Sequence, residues 1–234
     1  MQDSSLPAPG LGSSLRHGPY GSLCAPSSIT ALRTVFVKNL IGLAVFMLTI
    51  GVAMLQGARH EHMFSLRKAS KRLGIDITIR ELRKSTDVDG IDAIVLPGGE
   101  STAMKIASRS ENLYSQIWQK VRDENMPVLG TCAGAILLSQ QGLIDTEIER
   151  NAFGRQKDSF QSTIRVSIGD SDAFQGVFIR APRFLKGSNH PVAWLEQEVV
   201  GVLEGNIMAL TFHPELTEDY RFHEWLLSQA NHTN

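Results

Sequence analysis

Pro127-Val128-Leu129-Gly130-Thr131-Cys132-Ala133-Gly134-Ala135-Ile136-Leu137-Leu138-Ser139 reads as a buried strand, a sharp turn and the first turns of a helix. Val128 and Leu129 close the strand, Gly130 and Gly134 flank the turn, and Ala135 to Ser139 open the helix. A cysteine at such a turn sits at the positive end of the helix dipole, where the field favours a thiolate. The arrangement is the cysteine counterpart of the Gly-x-Ser-x-Gly nucleophile elbow. On these residues alone an inert buried cysteine fits equally well, because a small free Cys is commonly core. The rest of the chain has to decide.

A chain of 234 residues suits one α/β domain with a sizeable core, or one domain plus a tail. The formal net charge of -1 gives no reason to expect a nucleic-acid or polyanion partner, and 42 % apolar with 20 % charged residues is ordinary for a soluble globular protein. The two cysteines, Cys24 and Cys132, lie in stretches of different character. That argues against a disulfide framework and for a reducing, cytoplasmic compartment.

Residues 1 to about 34 are rich in Ser, Gly, Pro and Leu without a steady period, and read as disordered. An apolar run from Leu40 to Leu55 follows Arg33 and Lys38 and imitates a signal anchor. At about 16 residues it is short of the ~20 that span a bilayer, and Leu48 to Met54 reads better as the first buried strand. The domain is therefore expected over 47–234, with 1–46 an extension or an upstream mis-start and no membrane role.

Residues 58–73 carry Met63, Leu66, Ala69 and Leu73 at helical spacing, and Gly74 ends that helix. Ile75, Ile77 and Ile79 alternate as a strand, Ile91 to Leu96 form a short buried strand, and helices follow from Ser101 and over Leu113–Arg122. Later segments, Leu143–Glu149, Gln161–Ile168, Gly176–Ile179, Val192–Glu196, Val199–Leu203 and Ile207–Phe212, are strand-like. Asp219–Ala230 is the last helix. Helices between early strands predict a parallel sheet, and the later run of strands an antiparallel addition.

His213-Pro214-Glu215 leaves the last strand. Residues i and i+2 of an extended segment share a side, so Glu215 can orient His213 while the other ring nitrogen faces a nucleophile. Alone this is most often a turn; with Cys132 at an elbow it completes a triad, because strand ends of one sheet lie side by side. Leu96-Pro97-Gly98-Gly99-Glu100-Ser101-Thr102 also runs from a strand end into a helix, where two glycines let the backbone approach a ligand and exposed amides can hold an oxyanion. A plain Gly-rich turn with Ser101 as N-cap is the simpler reading of that loop taken alone. Arg150 and Arg180 are candidates to clamp a small acidic substrate. His60-Glu61-His62 invites a metal reading, but i and i+2 do not share a helical face. No metal and no cofactor is expected, and His190, His223 and His232 stand in no distinguishing context.

Taken together, Gly130-Thr131-Cys132-Ala133-Gly134, Pro97-Gly98-Gly99-Glu100-Ser101-Thr102 and His213-Pro214-Glu215 resemble the class I glutamine amidotransferases. The likeness is closer to one branch, the glutaminase subunits of pyridoxal 5'-phosphate synthase (the PdxT type). Its carriers are Leu55-Gln56-Gly57-Ala58 with Glu61-His62, Asn151-Ala152-Phe153-Gly154-Arg155-Gln156 followed by Asp158-Ser159-Phe160, Phe178-Ile179-Arg180-Ala181-Pro182 and Phe212-His213-Pro214-Glu215-Leu216-Thr217-Glu218-Asp219. It covers about residues 47–230.

The resemblance implies a three-layer, flavodoxin-like α/β fold with a mostly parallel central sheet, helices on both faces and an antiparallel strand addition. It implies hydrolysis of L-glutamine to glutamate and ammonia, with Cys132 as nucleophile, His213 as general base and acid, and Glu215 as orienter. Gly99, Glu100, Ser101, Arg150, Ile179 and Arg180 match glutamine-binding positions, and the amides of Gly98, Gly99 and Ala133 match an oxyanion hole. Gln56 matches an interface residue toward the partner, a (β/α)8-barrel lyase subunit that receives the ammonia in an assembly of twelve of each subunit. The glutaminase is expected to be nearly idle until that partner docks. The extension before Met47 has no counterpart in the branch, and the loop between Ser139 and Leu143 is shorter than in many members. Alternatives are a class I glutaminase serving another synthase, such as that of imidazole glycerol phosphate, and a non-catalytic interaction subunit. The Gly154-Arg155-Gln156 and Ile179-Arg180-Ala181-Pro182 stretches argue against the first, and the complete triad against the second.

Overall fold

The computed structural model describes residues 47–54, 57–99, 112–150, 159–185 and 190–233. Its first element, β1 (Leu48–Ala53), is the apolar run expected to open the domain, and five of its six residues are buried. It lies between β2 (Ile77–Leu82) and β3 (Ala93–Leu96), parallel to both. β4 (Val128–Thr131) pairs parallel with β3 on one side and with β11 (Ile207–Leu210) on the other. Beyond β11 the pairing turns antiparallel through β10 (Glu198–Glu204), β9 (Pro191–Leu195), β6 (Phe160–Val166) and β7 (Ala173–Phe178). The nine strands form one sheet in the order β2-β1-β3-β4-β11-β10-β9-β6-β7, the parallel sheet with an antiparallel addition that the resemblance implies.

Strand residues alternate between two cores, one on each face of the sheet. Ala93 and Val95 of β3 and Met208 and Leu210 of β11 point to one core. It is closed by Leu66 and Ala69 of α1 (Arg59–Leu73) and by Phe222, Leu226, Leu227 and Ala230 of α4 (Arg221–His232). Ile94 and Leu96 of β3 and Ala209 of β11 point to the other core. It is closed by Leu113, Ile117 and Val121 of α2 (Leu113–Glu124) and by Ala133, Leu137 and Leu138 of α3 (Ala133–Gln140). Phe222 is fully buried, edge-on to Phe174 at 5.0 Å and to Phe212 at 5.6 Å. Removing that ring leaves a cavity that three elements line. Phe222→Ala is expected to cost about 3–5 kcal/mol, read as a lower urea midpoint at unchanged slope.

Several strands start or end a few residues from the sequence reading, β2 and β7 among them, and two differences are larger. Leu143–Glu149 is not a strand: the chain turns at Gly142 and is tied down by Ser139 Oγ donating to the Thr146 carbonyl (2.7 Å). Ile148–Glu149 alone is extended (β5), paired with β8 (Arg183–Phe184), which is too short for any period to reveal. Helix α4 starts at Arg221 and not at Asp219, whose carboxylate stays outside and accepts from the Arg221 amide (3.1 Å). The segment 1–46 and the helix expected from Ser101 lie outside the described residues. Among those described, no helix is long and apolar enough to cross a membrane.

Candidate active site

The turn between β4 and α3 holds Cys132 at φ 47° and ψ −103°. A side chain rarely adopts a positive φ, and the strain is of the order of 1–3 kcal/mol. The surroundings impose it. The Cys132 amide donates to the Leu210 carbonyl of β11 (2.8 Å), while its own carbonyl accepts from Ile136 in α3 (3.3 Å). Gly134 lets α3 sit directly on the end of β3, since a Cβ there would come within 2.1 Å of the Leu96 carbonyl oxygen. In this backbone conformation Sγ lies 3.9 Å from the Ile179 carbonyl oxygen.

β11 runs beside β4, with Leu210 opposite Thr131, so the residues that follow β11 reach the same end of the sheet as Cys132. The antiparallel strands fold back to meet them: the His213 amide donates to Val177 of β7 (2.8 Å). A 3₁₀ turn over Pro214–Leu216, rather than an extended segment, then brings Glu215 under the ring. His213 Nδ1 lies 2.7 Å from Glu215 Oε1. Both side chains are buried, as is Cys132.

Burial alone pushes the His213 pKa down, but hydrogen bonds to Cys132 and Glu215 and their negative charge outweigh it and raise it to about 10. Burial also opposes ionisation of Glu215, yet His62 and the bond from His213 hold its carboxyl below the usual range. The ring between the two is therefore held ready to carry a proton, with a fixed anion behind it.

Gly98, just beyond β3, forms the near wall. A Cβ there would stand 2.4 Å from His213 Cε1 and 3.3 Å from Cys132 Cβ. Gly57 leans on Gly98 in turn: its φ is +89°, and a Cβ would fall 1.4 Å from the Gly98 carbonyl oxygen. Only glycine meets both demands at position 57. Ala133 opens α3, and its amide belongs to the first turn, whose N–H groups have no intrahelical partner.

Of the other residues singled out from the sequence, Ile179 and Arg180 follow β7 and are exposed, with Arg180 at φ 48°. Arg150 is exposed in the turn after β5. Gln56, Glu100 and Ser101 lie outside the described residues, as does the Asn151–Gln156 stretch.

Two histidines take a place that the sequence reading did not give them. His60 is exposed, but His62 is fully buried behind Glu215, with Nε2 3.3 Å from Oε2. His223, also fully buried, lies on its far side, with Nε2 2.9 Å from His62 Nδ1. Each occupies an apolar helical stripe, His62 with Leu66 and Ala69 and His223 with Phe222, Leu226 and Leu227. A titratable ring on a core-facing stripe was the available signal. Burial holds both neutral: it lowers the His62 pKa against the pull of Glu215, and takes that of His223 down to about 3.

The relatives of the chain fit this geometry. A pyridoxal 5'-phosphate synthase subunit PdxT from Thermococcus onnurineus is 42 % identical over 198 residues, which cover 79 % of this chain and 100 % of that protein. The corresponding subunit from Pyrococcus abyssi is 42 % identical over 195 residues, 77 % of this chain and 98 % of that one. Among solved structures, a glutamine amidotransferase superposes with a TM-score of 0.67 at 38 % identity, covering 78 % of this chain and 98 % of its own. The profile of the SNO glutamine amidotransferase family matches residues 52–232, from β1 to the end of α4. The chain belongs to the SNO glutamine amidotransferase family.

Proposed function

We propose that the chain is the glutaminase subunit of pyridoxal 5'-phosphate synthase, hydrolysing L-glutamine to L-glutamate and ammonia and passing the ammonia to a lyase subunit. The observation that carries the reading is a cysteine strained into an elbow beside a buried His–Glu pair, in a chain of this family.

In this reading Cys132 Sγ, its proton taken by His213 Nε2, attacks the side-chain amide carbon of glutamine. The oxyanion is held by the amides of Ala133 and of Gly98 and Gly99. His213 returns the proton to the amide nitrogen, the C–N bond breaks, and ammonia leaves a thioester on Cys132. Water, deprotonated by the same ring, hydrolyses the thioester and frees glutamate and the thiol. Glu215 holds Nδ1–H throughout, which fixes the tautomer and the ring plane. Gly99, Glu100, Ser101, Arg150, Ile179 and Arg180 hold the amino-acid end of the substrate, with the arginines suited to its carboxylate.

The partner in this proposal is a (β/α)8-barrel lyase subunit, docked at the Gln56 segment in an assembly of twelve of each subunit in the cytoplasm. Gly57 supports a link between that segment and the oxyanion site, because its backbone rests on the Gly98 carbonyl. Glutamate release is expected to be slow for the chain alone and to rise at least about tenfold when the cognate lyase subunit is added. A coupled glutamate assay with and without the partner tests this, and equal rates in both arms would remove the partner from the proposal.

A further inference from the structure

The carboxylate of Glu215 uses one oxygen on His213, and no regular hydrogen bond reaches the other, Oε2, among the described residues. A buried carboxylate oxygen left without a donor is costly. The nearest group able to donate is His62, whose Nε2 is hydrogen-bonded to Thr131 Oγ1 at 3.1 Å and lies 3.3 Å from Oε2, close enough for a small turn of either side chain to bring the two together. We propose that His62 is a positioning residue, holding the second oxygen of Glu215 through Nε2–H so that the first stays on His213, with His223 fixing the tautomer that makes this possible.

The proton positions follow from the partners. A carboxylate only accepts, so His62 Nε2 must carry the proton. In a neutral ring Nδ1 is then bare, and His223 Nε2–H donates to it across 2.9 Å. That leaves His223 Nδ1 bare, and this atom has no hydrogen-bond partner among the described residues. The opposite arrangement would put a lone pair of His62 against the carboxylate and orphan a buried N–H on His223, and both cost more. The terminal torsion of a Glu is broad, so one bond to His213 does not by itself fix the carboxylate plane. A second donor from α1, backed by α4, does. Thr131 sits immediately before Cys132, which ties the same donor to the elbow.

The inference rests on the glutaminase reading only for its kinetic arm. The variants are His62→Leu, which fills the space without a donor, and His62→Gln, whose amide can donate to Glu215 and accept from His223. The titratable groups facing this centre are His213 beyond β11, His223 on α4 and Glu61 on α1. Glu215 is coupled to His213 and through it to Cys132, so a shift in the acid limb reports this unit. Losing a donor raises the carboxyl, and the limb moves to higher pH.

In the complex with the lyase subunit, His62→Leu is expected to lower kcat about 30-fold with KM for glutamine within about twofold. The acid limb of kcat/KM is expected to move up by about one pH unit. His62→Gln is expected to return kcat to within about threefold of the parent and to restore the limb. In the chain alone, alkylation of Cys132 by iodoacetamide at pH 7, followed by peptide mass spectrometry, is expected to slow about tenfold in His62→Leu and to recover in His62→Gln. Alkylation needs no turnover. An unchanged alkylation rate in His62→Leu overturns the positioning role, and so do equal losses in both variants with an unmoved acid limb. A parent complex that releases no glutamate but keeps the alkylation pattern sinks the glutaminase reading and leaves the positioning role standing.

Discussion

Cys132→Ser is expected to abolish glutamate release in the assembled complex, by at least about a thousandfold, while leaving the thermal midpoint within about 2 °C. The replacement changes one buried atom, and the backbone bonds from Cys132 to Leu210 and Ile136 remain. What changes is the nucleophile. A thiol ionises near pH 8.5, whereas an alcohol stays protonated at any pH the protein survives, and the ring beside it is already matched to a thiolate. The interaction with Cys132 is among the causes that raise His213 to about 10. With serine in place, the ring loses that interaction. Glutamate release is the readout, and retained turnover in the variant would remove Cys132 from the chemistry.

The second large effect is expected from Gly98→Ala, one methyl group added to the near wall. Its Cβ would stand 2.4 Å from His213 Cε1, a distance that no real contact tolerates. His213 cannot swing freely, because Nδ1 is held 2.7 Å from Glu215 and the amide is bonded to β7. The ring must therefore tilt or the loop must back away, and either moves the base or the oxyanion donors by the better part of an ångström. A displacement of about 1 Å in such a site costs on the order of a hundredfold in kcat. Thermal stability is expected to fall by only about 1–2 kcal/mol, since the loop lies at the end of β3 and not inside it. A kcat within threefold of the parent would mean that the wall gives way without disturbing the base.

Much of the fold was legible because it is written in runs and periods. β1, β3 and β4 are apolar stretches that a two-faced sheet requires. α1 and α2 show their stripes, and the Gly-flanked cysteine announces a strand-to-helix turn. The closeness of Cys132 to His213 was legible only through topology, as strand ends in one sheet. What stayed hidden has physical reasons. A two-residue ladder such as β5–β8 has no period. The curl that brings β7 onto His213 is set by twist and bulging, with the register of β9 against β10 shifting near Gly201, and no local pattern encodes it. His62 stood out only within the His60-Glu61-His62 triplet and the Glu61-His62 stretch, and His223 not at all, because a histidine on an apolar stripe does not declare its neighbour. Their partnership exists only once α1 and α4 lie side by side over the end of β4.

The adjacency of β4 and β11 also fixes when the site comes into being. Their pairing joins residues about 80 positions apart, so the loop that must close is long and its closure late. A ribosome delivers Cys132 well before it delivers His213, and α4, which seals the same core, comes last of all. Between the making of residue 132 and that of residue 213 the growing chain therefore carries a cysteine with no base beside it. The thiol meets its histidine only once β11 has paired with β4, which keeps the reactive pair out of chains that stop short of His213.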